Sequence, residues 1–272
     1  MDAALEALGP PTKLVHSHGR RVALYNLDCS EALTHAFEVD LILTSPPYNI
    51  KKRYSSTDDN RSDYIEWLRS ILRLLGERLG TRGSLWLNTG HTSDRVPIAY
   101  RVWDASPRLK IHQEVVWSFT RGVAARHYYS PRHETLLWMS RNEQPPRFDL
   151  EKVREPHDQT KCTCGTRNGK KRCNDNGKNP GDVWMIQTVT AGTGRASAER
   201  QPHPTQMPFE LAQRVVAGCA VDSGLLLDPF CGSGTSLIAA VKNGMDAIGF
   251  DVSNEYILLC QTRLESLCEP AA

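Results

Sequence analysis

Two clusters in this 272-residue chain bring together residue types and spacings suited to chemistry. The first, Asp228-Pro229-Phe230-Cys231-Gly232-Ser233-Gly234-Thr235, follows the apolar run Leu225-Leu226-Leu227 and precedes a helix-like stretch from Ser236 to Lys242. A strand that stops at a tight glycine turn lets backbone approach a ligand closely, because no Cβ intervenes. A further apolar run, Ala247 to Phe250, ends at Asp251, which follows Asp228 by 23 positions. An acid placed there, after the second strand of a βαβ unit, is suited to holding ribose hydroxyls. The turn lacks the Gly-x-Gly-x-x-Gly spacing of dinucleotide sites, which disfavours NAD and FAD. The second cluster lies far upstream, where Asp40-Leu41-Ile42-Leu43 runs into Thr44-Ser45-Pro46-Pro47-Tyr48-Asn49. It joins a hydroxyl to a rigid Pro-Pro pair, each ring locking φ and removing a donor, and it ends in an aromatic face.

Together the two clusters resemble the catalytic and cofactor motifs of the amino-methylating DNA methyltransferases, which move a methyl group from S-adenosylmethionine to an exocyclic base nitrogen. The catalytic loop precedes an irregular basic segment, which precedes the cofactor turn; this order is similar to the permuted beta class of that family. The resemblance implies that Asp228, Phe230, Gly232, Gly234 and Thr235 surround the methionine part of the cofactor, with Asp251 at its ribose. Asn26-Leu27-Asp28-Cys29 resembles the family segment at the adenine, which implies a role for Asp28. His203-Pro204-Thr205-Gln206 resembles the block before the cofactor turn, which implies that Thr205 and Gln206 close the methionine end.

An exocyclic amine is a poor nucleophile because its lone pair is delocalised into the ring. Two acceptors at its N–H groups favour a more tetrahedral nitrogen, and Ser45 Oγ and the Pro46 carbonyl, stiffened by Pro47, are the candidates. Holding reacting atoms about 3 to 3.5 Å apart lowers the barrier further. Tyr48 offers a flat face to a base extruded from the duplex. By resemblance, Ser-Pro-Pro-Tyr is typical of methylation at cytosine N4 and Asp-Pro-Pro-Tyr of methylation at adenine N6, so Ser45 points to cytosine. Carbon-5 methylation needs a cysteine nucleophile, and the Ser45–Tyr48 loop has none. Adenine methylation on the same scaffold and a DNA-binding regulator without activity are the alternatives; intact Ser45, Tyr48 and Asp251 argue against the second. RNA or small-molecule methylation is a weaker third.

These loops need elements to carry them. Arg21 to Asn26 is β-prone, Ser30 to Phe37 looks helical, and Val39 to Leu43 is an apolar strand of the kind buried on both faces of a parallel sheet. Ile65, Leu68, Ile71, Leu72 and Leu75 predict an amphipathic helix capped by Ser62 and ending near Gly76 to Gly80. Strands are predicted at Gly83–Asn88, Gln113–Phe119 and Glu134–Met139, and helices at Phe209–Ala220 and Glu255–Leu267. Alternating strands and helices predict an α/β fold: a doubly wound, mostly parallel sheet with helices on both faces. The division expected is 1–141 for the catalytic half, 142–201 for a target-recognition insertion and 202–272 for the cofactor half.

Net charge is only +2, but Arg141 to Arg200 holds twelve Lys or Arg against eight Asp or Glu, so the basic surplus is local. Lys161, Arg167, Lys170, Lys171 and Arg172 are its core and the expected contacts to DNA, mostly to phosphate. Lys178 to Trp184 resembles a family segment leading back to the core, with its contact to DNA left open. His157, Cys162, Cys164 and Cys173 can be drawn as four zinc ligands, but the one-residue Cys spacing departs from the usual pairs, and no metal is assigned. The eight cysteines, without a secretory signal or a long apolar run, suggest free thiols in a cytoplasmic protein. Duplex DNA is the expected partner; a homodimer and a cognate restriction endonuclease are further expectations from the resemblance.

Overall fold

Short apolar runs bounded by turns supply the sheet, and amphipathic stripes supply its cover. The computed structural model describes all residues except 55–56, 93–95, 105–107, 123, 142–144, 158–165, 168–169, 172–173, 175, 191–196 and 268–272. The chain begins with α1 (Asp2–Leu8), β1 (Lys13–Ser17), β2 (Arg20–Asn26), α2 (Cys29–Ala32) and β3 (Val39–Thr44). A small hairpin, β4 (Arg53–Tyr54) with β5 (Thr57–Asp58), precedes α3 (Tyr64–Arg78), which runs straight into β6 (Leu79–Thr89). Then come α4 (Ile98–Arg101), β7 (Lys110–Ser118), β8 (His133–Ser140), a 3-10 turn at Leu150–Lys152, a hairpin of β9 (Thr166–Arg167) and β10 (Lys170–Lys171), and β11 (Val183–Met185). The last part is α5 (Phe209–Cys219), β12 (Leu225–Asp228), α6 (Thr235–Lys242), β13 (Asp246–Asp251) and α7 (Asn254–Ser266).

Nine strands form one sheet in the order β1-β2-β13-β12-β3-β6-β8-β7-β11. Its centre, β2 through β6, is parallel; β8 is antiparallel to both neighbours, and β1 is antiparallel to β2. Alternate residues feed two separate cores, as the period-2 geometry of strands requires. Leu24, Leu41, Leu43 and Leu226 point toward α5, α6 and α7, while Ala23, Ile42, Leu227 and Phe250 point toward the side of α1 to α4. The expected α/β architecture is therefore present, with helices on both faces.

Several boundaries differ from expectation for local reasons. The helix expected over Ser30–Phe37 is only α2: beyond it the Thr34 and His35 amides donate to the Glu31 and Ala32 carbonyls, three residues back, and the α-helical pattern gives way to turns. α3 starts at Tyr64 rather than after Ser62, and its N-cap Asp63 is occupied by Arg61. The stretch Lys178 to Trp184 leads into the edge strand β11, which anchors it to the core: Trp184 pairs with Trp117, and its ring stacks on Trp86 at 5.9 Å. Cys29, Cys219, Cys231 and Cys260 are buried free thiols. No described helix is long and apolar enough to cross a membrane.

Candidate active site

β12 delivers Asp228 to the carboxyl edge of the sheet, and the chain then reverses into α6 through two residues of positive φ, Gly232 (48°) and Gly234 (77°). A Cβ at Gly234 would fall 2.2 Å from Cys260 Sγ, and one at Gly232 2.7 Å from His203 Nε2, so space as well as φ demands glycine. Asp228 accepts from Thr44 Oγ1 (2.8 Å), from the Phe230 amide (3.1 Å) and from Ser236 Oγ. Burial pushes its carboxyl up to about 6 against the pull of those bonds. Asp251, at the end of β13, accepts from the Gly232 amide (3.0 Å) and the Ser253 amide (2.8 Å), and burial raises its carboxyl too. The acid after the second strand thus ties down the glycine turn. His203 packs on Tyr256 with ring centroids 4.6 Å apart and takes the Thr205 amide on Nδ1. Burial, with the charges of Arg200, Lys52 and Arg263, lowers its imidazole to about 4, so the ring is neutral at pH 7.

A cavity of about 380 Å³ opens over this turn. Its wall includes Asp28, Thr205, Gln206, Asp228, Phe230, Gly232, Thr235 and Asp251 from the cofactor expectation, and Ser45 and Pro47 from the catalytic one. Gly234, Pro46 and Tyr48 are not on that wall. Asp28 caps α2, accepting from the Ser30 amide (2.8 Å) and hydroxyl (2.6 Å). The Gln206 amide clamps the incoming chain, donating to the Glu199 carbonyl and accepting from the Gln201 amide, both at 2.8 Å. Thr205 Oγ1 donates to the Tyr54 hydroxyl (3.4 Å). Phe230 meets Trp67 edge-on at 5.6 Å, which makes one wall aromatic. Carboxylates at separate strand ends, a flat apolar wall and a Cβ-free turn suit an adenosine carrying an amino-acid tail.

The two distant motifs meet in this crevice. β3 and β12 are parallel neighbours, Leu41 opposite Leu226 and Ile42 opposite Leu227, and the Thr44–Asp228 bond crosses between their ends. Beyond Thr44, Ser45 Oγ lies 3.0 Å from Tyr48 Oη. Tyr48 donates to Glu134 Oε2 (2.9 Å), at the head of β8. Asn88 Nδ2, near the end of β6, donates to Tyr48 Oη (2.9 Å) and to Glu134 Oε2 (3.0 Å). The Tyr48 ring packs on Gly90, where a Cβ would come within 2.8 Å of it. Burial raises the Glu134 carboxyl, opposed by Tyr48, Asn88 and Lys52. Burial and Glu134 raise the Tyr48 phenol, which is neutral. Lys52 also donates to the Pro204 carbonyl (3.1 Å), joining the two halves of the site.

Sequence reasoning missed Glu134 and Asn88. The signal was there: a polar residue at the end of an otherwise apolar strand, on the edge where ligands of such sheets bind. Of the expected DNA contacts, Arg167, Lys170 and Lys171 lie on the β9–β10 hairpin, described as backbone; Lys161 and Arg172 fall outside the described residues, as do Cys162, Cys164 and Cys173. Among the described residues no group of three or more His, Cys, Asp or Glu is arranged to hold a metal.

A family model described as DNA methylase, for N6 and N4 methyltransferases, matches residues 39–262. The Type II methyltransferase M.ScaI of Streptomyces caespitosus is 39% identical over 96% of this chain and 86% of its own length. M.HpaI of Haemophilus parainfluenzae is 29% identical over 84% of this chain and 68% of its own. The DNA adenine methyltransferase YhdJ of Escherichia coli is 27% identical over 85% and 77%. Among solved structures, the cytosine-N4-specific PvuII DNA methyltransferase superposes with a TM-score of 0.64 at 15% identity, covering 90% of each chain. M1.HpyAVI in complex with S-adenosylmethionine gives 0.58 at 18%, covering 89% of this chain and 98% of that one; at such identities these two likenesses speak for the fold. With its family motifs gathered in one crevice and its relatives aligned along nearly the whole chain, this protein belongs to the N6/N4 family of S-adenosylmethionine-dependent DNA methyltransferases.

Proposed function

We propose that the protein methylates cytosine at N4 within a short duplex sequence. The observation that carries this reading is Ser45, a hydroxyl rather than a carboxylate, on the cavity wall beside the cofactor turn. Bound S-adenosylmethionine supplies an electrophilic methyl group. Asp28 is read as meeting its adenine amine, Asp251 its ribose, and Asp228 its ammonium, with Phe230, Gly232, Gly234, Thr235, Thr205 and Gln206 shaping the methionine end. Ser45 Oγ and the Pro46 carbonyl accept the two N–H groups of the flipped base, and Pro47 stiffens that loop. Tyr48 braces Ser45. Residues 142–201 are read as the target-recognition part, with Lys161, Arg167, Lys170, Lys171 and Arg172 on the DNA backbone. A homodimer and a cognate endonuclease complete the reading.

DNA methylated in vitro, digested to nucleosides and weighed, tests the base: N4-methylcytosine is expected. N6-methyladenine in its place would reassign the target to the second reading, which the likeness to YhdJ, named as an adenine enzyme, favours.

A further inference from the structure

We propose that Glu134 sets the direction of a hydrogen-bond chain, so that Ser45 Oγ meets the substrate amine purely as an acceptor and the chain carries off the proton which that amine must lose. The inference rests on the amino-methylation reading above and goes beyond it, naming a positioning residue and a proton route.

Counting donors and lone pairs fixes the direction. A tyrosine hydroxyl has one hydrogen to give and two lone pairs to accept with. Tyr48 gives its hydrogen to Glu134 Oε2 at 2.9 Å and takes one from Asn88 Nδ2 at 2.9 Å. Its third neighbour, Ser45 Oγ at 3.0 Å, therefore has to be a donor toward it. With its single hydrogen directed inward, Ser45 shows the cavity lone pairs alone. Asn88 does not undo this: its amide reaches Tyr48 Oη, Glu134 Oε2 at 3.0 Å and, at 3.4 Å, Ser45 Oγ, and a hydrogen given to Ser45 occupies a lone pair while leaving the Ser45 hydrogen directed toward Tyr48. A carboxylate accepts only, so Glu134 is the group that polarises the chain. An acceptor-only Ser45 favours a base presenting an exocyclic N–H and disfavours one presenting a carbonyl oxygen at the same place.

The same chain answers the proton question. After methyl transfer the base nitrogen carries the new methyl and both original hydrogens, with a positive charge. Breaking one N–H bond passes a proton to Ser45 Oγ, the former Ser45 hydrogen moves to Tyr48 Oη, and the former Tyr48 hydrogen moves to Glu134 Oε2. The nitrogen ends neutral, Glu134 ends protonated, and both hydroxyls are unchanged.

Glu134→Gln keeps the shape but has an amide that can donate to Tyr48 Oη, reversing the chain. In the full-length protein it is expected to lower kcat by about 100-fold, as loss of a proton acceptor does. The Kd for S-adenosylmethionine and for duplex DNA should stay within about twofold, and Tm without ligand should be unchanged or higher, since a buried carboxylate has been removed. Tyr48→Phe should cost a similar factor, and the double variant should be no slower than the slower single, because both act on one link. A Glu134→Gln enzyme within about threefold of wild-type kcat, a loss that follows cofactor affinity or Tm, or losses that multiply in the double variant would each overturn the inference while the methylation reading stands. Wild-type protein that transfers no methyl group to any duplex DNA would defeat the reading itself.

Discussion

Asp228 receives three hydrogen bonds and lies 4% exposed, yet its carboxyl sits at about 6 because burial outweighs them. Raised in this way, it is ionised above about pH 6 and neutral below. If the carboxylate faces the cofactor ammonium, affinity for S-adenosylmethionine falls as pH drops through about 6, and Asp228→Asn weakens binding while flattening that dependence; titration calorimetry at several pH values reads both. A wild-type affinity that is level from pH 7 to 5 would remove Asp228 from that role. At this scale the sequence was most legible where a motif forced geometry. Gly232 and Gly234 need positive φ and have no room for a side chain. Glu134 and Asn88 were harder to read: each is a polar residue near a strand end, and their bonds to Tyr48 span 86 and 40 residues of sequence.

Among the elements, β11 has the smallest hold on the sheet and the most traffic to control. Three residues long, it returns the chain from the basic segment, and its anchor is Trp184, stacked on Trp86 and overlaid by Arg214 at 5.3 Å. Trp184→Ala should destabilise the fold by about 3–5 kcal/mol, the usual cost of emptying a buried aromatic site. Because the strand lies remote from β12 and β13, cofactor affinity should survive at temperatures where the variant is folded, while affinity for duplex DNA drops. Thermal unfolding beside the two binding titrations checks this; equal loss of both affinities would show that β11 supports the whole site. Strands β3, β12 and β13 and helices α5 and α7 were legible to within a residue or so, since periodicity and buried apolar runs declare them. The short pieces were not: β11 is held by pairing with β7, 67 residues earlier, and β1 and α1 are too brief to show a period of their own.

For the whole molecule the decisive fact is interleaving. β2, from the start of the chain, pairs with β13, from its end, and β12 slots in beside β3. Neither end owns a complete sheet, so unfolding should be a single event. Far-UV circular dichroism and tryptophan fluorescence are expected to give one shared midpoint, and S-adenosylmethionine at about a hundred times its Kd should add about 2.7 kcal/mol, seen as a rise in Tm of several degrees. Two separated transitions would show that the halves fold independently. The sheet order also has a meaning for descent. The chain between Ser140 and Val183 departs from β8 and comes home at β11, on the far side of β6 from β3 and β12, whose ends carry Ser45 and Asp228. If residues 142–201 read the target as proposed, insertion, deletion or recombination there leaves the reaction's alignment alone, and a lineage built on this scaffold can exchange that cassette and acquire a new target without retuning its chemistry.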